Sequence, residues 1–312
     1  MSLPTSARAL VLKKYVDYDE DLAFTISSHF ALKTIPIPNP LPNDSLLVKT
    51  LLLSNDPGQR IWMQELGELS ASRPEMATVR LGEPEIPGFP LSSLLGSLGI
   101  SGATAYVALH FVLKPKPTDT LVVSGAAGAV GNVAVQYAKE VMGIKRVVGI
   151  AGSEEKCKWL KSIGTDEAVN YKSTTFNEDF AKATPDKVDS FFDNVGGTIL
   201  DEVLGRMNPK GKIAAVGVTS VYNSMDHPII LKNYVKAVAD SVTIYGYNLE
   251  EYLDHIPEAI DALADAADSG KLIIDSAETV VDIHDHLEEI PRIWVGMFTG
   301  ANKGKVITKL AD

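Results

Sequence analysis

The residues with the most evident chemical use lie in one short string, Ser124-Gly125-Ala126-Ala127-Gly128-Ala129-Val130-Gly131. Small residues at such a turn let the backbone approach a phosphate, and the free N–H groups and dipole of a helix starting there favour negative charge. A glycine-rich string alone is weak evidence. Here it falls where a strand meets a helix inside a run of βα repeats, which makes the backbone of Ala127, Gly128, Val130 and Gly131 a candidate cradle for a dinucleotide pyrophosphate. The next strand ends in Gly149-Ile-Ala-Gly152-Ser153. Folds that bind NAD usually place Asp or Glu at that point to hold the free ribose 2′-hydroxyl, and no carboxylate closes this strand. Ser153 can cap the following helix and also donate to a phosphate, and Lys156 stands one turn on with its charge available. Read blandly, Ser153 only caps and Lys156 is an exposed cation facing glutamates. The absent acid and the present lysine together point to NADPH.

The elements that must position these groups follow from periodicity. From about Gly102, β-branched runs alternate with amphipathic helices, and strands are expected at Thr120–Ser124, Arg146–Ala151, Glu167–Tyr171, Val188–Asp193, Lys212–Val218 and Ser241–Tyr247. Six strands with helical crossovers make a doubly wound parallel (Rossmann) sheet of the α/β class. The helix after the first strand places Val130, Val133, Ala134, Tyr137, Ala138 and Val141 on one face, the spacing of a helix packed on a sheet. The first hundred residues read as β-rich and irregular, with Pro36, Pro38, Pro40 and Pro42 in an extended connector. Ser45–Ser54 reads as a strand that stops at Asn55-Asp56-Pro57-Gly58, a polar turn where site residues such as Asn55 commonly sit. The ending Lys305–Leu310 reads as a last strand returning to the first domain. The expected organisation is therefore a nucleotide-binding domain at 102–270 inserted in a discontinuous partner, 1–101 plus 271–312.

Composition narrows the function. With 312 residues, 45% of them hydrophobic and 22% charged, the chain can bury a full core. A net charge of −11 opposes nucleic-acid and anionic-membrane binding. No long apolar stretch opens the chain, so neither a signal peptide nor a membrane span is expected, and the cytosol is the default address. One cysteine, Cys157, excludes an intrachain disulfide and a thiolate zinc cluster. The pair His284 and His286 reads as a solvated helix start rather than a metal site.

Several blocks resemble the prostaglandin reductase and alkenal double-bond reductase family of zinc-independent medium-chain dehydrogenase/reductases. They are Thr104-Ala-Tyr106, VVSGAAGAVG from Val122, AGSEEKC from Ala151, Asn170-Tyr171, FDNVGG from Phe192, GKIAAVGVTSVYN from Gly211 and GANKGK near the end. The resemblance implies a GroES-like β-barrel as the partner domain, substrate between the domains, a homodimer, and hydride transfer without metal. By matching position it implies that Gly152, Ser153, Lys156 and Tyr171 surround the adenosine 2′-phosphate. It further implies that Asn194, Gly217, Val218 and Asn302 line the nicotinamide half, with Thr104 near the carboxamide. Tyr252 is the nearest match to a tyrosine that assists proton transfer, and Tyr247 and Tyr222 are weaker candidates for the same polar contact. Against this, Leu249, Tyr252, Leu253, Ile256 and Ile260 share one helical face, so packing alone also accounts for Tyr252.

Two departures lie in the first domain. The family's tyrosine after Asp-Pro is replaced by Gly58 in Asp56-Pro57-Gly58-Gln59-Arg60. The stretch between Trp62 and Leu98 is a few dozen residues shorter than the family pattern, and Pro84–Pro90 reads as a covering loop rather than a strand of a complete barrel. The expected function is NADPH-dependent reduction of the carbon–carbon double bond of a small α,β-unsaturated aldehyde or ketone. Quinone reduction, and NADPH binding without turnover, are the alternatives.

Overall fold

The computed structural model describes residues 4–17, 20–63, 86–223, 229–284 and 286–311. Its backbone contacts divide the chain into two compact units, one of Met1–Leu81, Val280–Ala301 and Val306–Asp312, the other of Gly82–Thr279 and Asn302–Lys305. Residues 64–85, including Pro84, lie outside the described residues.

The first unit opens with strands β1 (Ser6–Leu12) and β2 (Phe30–Pro36), an antiparallel pair. Strand β3 is confined to Leu52–Ser54. The expected start at Ser45 is not seen: Leu46, Leu47 and Val48 are exposed and join no sheet. An apolar run without a pairing partner is not a strand, whatever its propensity. The core of this unit gathers Val16, Leu22, Ile26, Trp294 and Val295. Arg60, fully buried, donates from Nη2 to the Asp17 carbonyl at 2.8 Å.

The second unit holds β4 (Thr120–Val123), β5 (Arg146–Ala151), β6 (Glu167–Asn170), β7 (Val188–Asp193), β8 (Met207–Ala215) and β9 (Thr243–Gly246). They form a six-stranded sheet in the order β6-β5-β4-β7-β8-β9, every pair parallel. This is the doubly wound arrangement expected from the sequence, with the order reversing at β4. Strands covered on both faces need apolar residues at successive positions rather than alternate ones, and Leu121, Val122 and Val123 are all wholly buried. Strand β8 stops at Ala215 rather than Val218, because the N–H groups of Val216 and Gly217 both donate to the Asp193 carbonyl, at 2.8 and 3.0 Å, and turn the chain off the ladder.

The helix Ala129–Gln136 buries Val133 and Ala134 as expected and runs into a π-helical turn, Tyr137–Val141, that buries Tyr137 and Ala138. Val141 departs from the expectation and is 37% exposed. A π turn adds a residue to the repeat and rotates the side chains after it away from the sheet-facing stripe. Ile86 and Phe89 pack against the core of this unit, so the tail of the proline-bounded loop covers the nucleotide-binding fold. After the helix Ile256–Asp268, β10 (Glu278–Asp282) and β11 (Lys305–Lys309) complete a three-stranded sheet, β10-β11-β3. The pair His284 and His286 is exposed, each ring beside a carboxylate, Asp282 and Glu288. Among the described residues no group of three His, Cys, Asp or Glu is placed to hold a metal ion, and no helix is long and apolar enough to cross a membrane.

Candidate nucleotide site

At the end of β4 the chain must turn sharply under the start of a helix, and the sequence supplies glycine where a side chain would obstruct it. Gly125 has φ +56°, a left-handed conformation that costs an L-residue energy. A Cβ on Gly131 would lie 2.3 Å from the Gly125 carbonyl oxygen, so only glycine lets the helix sit this close to the turn. The helix Ala129–Gln136 has Gly128 as its N-cap and receives no side-chain cap. Its first amides therefore point outward with hydrogen bonds to give, the arrangement that binds phosphate. Ala127, Gly128, Val130 and Gly131 stand where the sequence placed them.

A buried network braces this turn from β7. The Ser124 hydroxyl donates to Asp193 Oδ1 at 2.7 Å and accepts the Asn194 N–H at 2.8 Å, while Asn194 Nδ2 donates to the Ser124 carbonyl at 2.7 Å. Burial pushes the Asp193 carboxyl above the usual carboxylate range, opposed by the N–H groups of Val195 and Gly196 and by Ser124. A Cβ on Gly217 would lie 2.9 Å from the Asn194 carbonyl oxygen, so Asn194 and Gly217 are held against each other at the carboxyl edge of the sheet. Val218 and Tyr222 follow on the same loop, and burial raises the Tyr222 phenol while its bond to the Val218 backbone opposes the rise. Asn302 lies in the segment that crosses the turn. Its Nδ2 donates to the Gly304 carbonyl at 2.9 Å, the Gly304 N–H donates to the Ala127 carbonyl at 2.8 Å, and Gly128 and Gly304 form a parallel bridge. The sequence placed Asn302 near the cofactor but gave no sign that Gly304 braces the turn.

At the end of β5, Gly152 and Ser153 open the helix Glu154–Ser162, and Ser153 Oγ accepts the Lys156 N–H at 3.2 Å. The capping role of Ser153 is thus present. Lys156 is partly buried, and burial first, then the neighbouring charge of Lys172, holds its ammonium below the usual lysine range. Tyr171, at the end of β6, folds over Gly152: a Cβ there would meet Tyr171 Cε1 at 3.0 Å and its hydroxyl at 3.4 Å. Tyr171 thus lies over the strand end from which Ser153 and Lys156 open the next helix, with no carboxylate closing β5.

The tyrosines after β9 form a stack. Tyr247 and Tyr252 lie 6.0 Å apart at 16°, and Phe111 is 6.2 Å from Tyr252. The Tyr247 hydroxyl is buried beside Thr104 with no partner at full hydrogen-bonding distance, and burial pushes its phenol well above the usual range. The Thr104 hydroxyl itself donates to the Ile100 carbonyl at 2.7 Å. The single helix expected from Leu249 to Ile260 is broken, although Leu249, Tyr252 and Ile256 pack against the core and Ile260 is buried, as the packing reading expected. Residues Leu249–His255 make 3₁₀ turns with a non-helical residue at Tyr252, and Leu253 is 56% exposed. Asn55 is tied inside the first unit, donating from Nδ2 to Thr308 Oγ1 at 2.9 Å.

Residues 129–265 match the family model of the zinc-binding dehydrogenases. The chain is 35% identical to the NADP⁺-dependent 2-alkenal reductase of Nicotiana tabacum, over 85% of this chain and 76% of that one. It is 31% identical to prostaglandin reductase 1 of Sus scrofa, over 97% and 99% of the two chains. That alignment runs over 342 positions against the 312 residues here, which leaves at least 30 without a counterpart in this chain. Among solved structures, that of CurA in complex with NADPH from Vibrio vulnificus is similar over 98% of this chain and 100% of that one, with 27% identity and a TM-score of 0.84.

Proposed function

This chain belongs to the prostaglandin reductase and 2-alkenal reductase family of the medium-chain dehydrogenase/reductases, and from that premise we propose that it is an NADPH-dependent reductase of α,β-unsaturated aldehydes or ketones. The observation that carries the cofactor choice is Tyr171 lying over Gly152 at a strand end without a carboxylate, beside the helix that Ser153 caps and on which Lys156 stands one turn on. Two hydroxyls and an ammonium suit a dianionic 2′-phosphate, whereas β5 does not end in the carboxylate that usually holds the 2′-hydroxyl of NADH. The uncapped helix behind Gly128 suits the pyrophosphate, and we assign Asn194, Gly217, Val218, Asn302 and Thr104 to the nicotinamide half.

When bound, NADPH supplies the hydride that adds to the β-carbon of the acceptor. The protein's part is to hold the developing enolate oxygen and see that a proton reaches the α-carbon. We assign the hydrogen bond to that oxygen to Tyr247, whose buried O–H sits beside Thr104, and the supporting position to Tyr252, whose ring is stacked on it. A phenol held well above its usual range stays protonated at neutral pH and so acts as a donor. We extend the proposal to a GroES-like substrate domain built on the first unit and a nucleotide domain built on the second, which takes in 82–101 and 271–279 beyond the 102–270 read from the sequence, and to a cytosolic address and a homodimer. For the last, β9 forms an open edge of the six-stranded sheet with all four residues exposed, including Ile244 and Tyr245.

The test follows NADPH absorbance on mixing the protein with enals, cyclic enones and quinones, with NADH in parallel. Turnover of an enal or enone with NADPH preferred supports the proposal. Turnover confined to quinones, or tight NADPH binding without oxidation by any acceptor, overturns it.

A further inference from the structure

The helix Glu154–Ser162 carries Glu154 and Glu155 in its first turn, two carboxylates that oppose a phosphate at that end. Glu154 is drawn toward Asn170, whose Nδ2 donates to its Oε1 at 2.9 Å. Glu155 remains close enough to stabilise the Lys156 ammonium. A single lysine already sharing its charge with a glutamate is a poor counterion for a dianion, and the fold brings a second one to the same place. Asn170 Oδ1 accepts the Lys172 N–H at 3.0 Å, which fixes the turn after β6. That turn lays two side chains over Gly152: besides Tyr171, Lys172 Cε would lie 3.5 Å from a Cβ at this glycine. The Lys172 ammonium stands 5.8 Å from the centroid of the Tyr171 ring, held on its strand's side of the site. Lys156 arrives from the helix and Lys172 from the strand end, and the Lys172 charge is near enough to disfavour that of Lys156. Bringing two cations together costs energy that an anion placed between them recovers.

We propose that Lys172 is a second cation of the 2′-phosphate site and sets the preference for NADPH over NADH, a role that rests on the NADPH reading above. The phosphate is gripped by Ser153 and Lys156 on the helix side and by Tyr171 and Lys172 on the strand side. Binding of adenosine 2′,5′-bisphosphate and of 5′-AMP, measured by calorimetry on the whole protein, separates the phosphate from the rest of the nucleotide without needing turnover. Lys172→Gln should weaken the bisphosphate roughly tenfold, the scale of one charge-assisted hydrogen bond, with 5′-AMP unchanged. Lys172→Arg should retain most of the affinity. If Lys172→Gln binds the bisphosphate as tightly as the parent, or loses 5′-AMP in the same proportion, Lys172 does not have this role. If the parent itself fails to distinguish the two nucleotides, the NADPH reading falls and the role of Lys172 with it. A parent that discriminates and a variant that discriminates equally would sink the role of Lys172 alone.

Discussion

Removing one buried hydroxyl, by Ser124→Ala, tests the bracing of the glycine turn. Ser124 is wholly buried, and its Oγ is at once the donor to Asp193 Oδ1 at 2.7 Å and the acceptor of the Asn194 N–H at 2.8 Å. A hydrogen bond to a carboxylate contributes about 1.5 to 3 kcal/mol, and a buried N–H left unpaired costs about 1 to 3 kcal/mol more. Taking the low half of each range gives a loss of about 3 kcal/mol, with little offset because alanine fills almost the same volume. For a unit of this size that corresponds to a fall in Tm of roughly 6 to 12 °C, read by circular dichroism on the full chain. The same variant removes one of the two bonds that tie Asn194 to Ser124, leaving the one to the Ser124 carbonyl, so NADPH should bind more weakly while adenosine 2′,5′-bisphosphate, which does not reach that part of the site, binds as before. A fall smaller than roughly 2 °C, less than one ordinary hydrogen bond would give, would refute the bracing role.

Gly131→Val should abolish nucleotide binding and leave little folded protein, since the first added carbon alone would lie 2.3 Å from the Gly125 carbonyl oxygen; recovery of soluble protein with parental NADPH affinity would contradict this. Because Lys156 sits below the ordinary lysine value of 10.5, its charge is lost earlier as pH rises. The ratio of NADH to NADPH dissociation constants should therefore fall on going from roughly pH 7 to pH 10, and a flat ratio would count against Lys156 as a phosphate ligand. Tyr247→Phe should lower kcat by roughly a hundredfold if its hydroxyl holds the enolate oxygen, with NADPH affinity unchanged. Tyr252→Phe keeps the stacked ring and should have the smaller effect; the reverse order would move the catalytic assignment to Tyr252.

The parallel sheet was legible in the sequence because its strands are buried on both faces, so Thr120–Val123 and Arg146–Ala151 announce themselves as apolar runs bounded by turns. The glycine turn was legible for a related reason: Gly125 and Gly131 are fixed by local sterics that act within a few residues. What was not legible depends on partners far along the chain. Leu46 to Leu51 has the composition of a strand, but only a neighbour can make it one, and the sheet takes just Leu52–Ser54. Val141 keeps the helical spacing, yet a π turn, which no periodicity reveals, removes it from the buried stripe. Tyr252 keeps it too and sits at a break between helices. Lys172 looks like any surface lysine until the turn after β6 is seen lying over Gly152.

The parallel bridge between Gly128 and Gly304 has a consequence for how the molecule comes into being. A ribosome delivers the glycine turn and all six strands of its sheet well before it delivers Gly304. Until then the Ala127 carbonyl lacks the Gly304 N–H that binds it at 2.8 Å, and Ala277 lacks the glycine that fits against its carbonyl, where a Cβ would come within 1.8 Å. The nascent nucleotide-binding unit can therefore form its sheet early but can close its turn only after Gly304 has been made. A message cut short before that codon would yield a folded sheet that holds its cofactor poorly, a product for proteases rather than a slower enzyme.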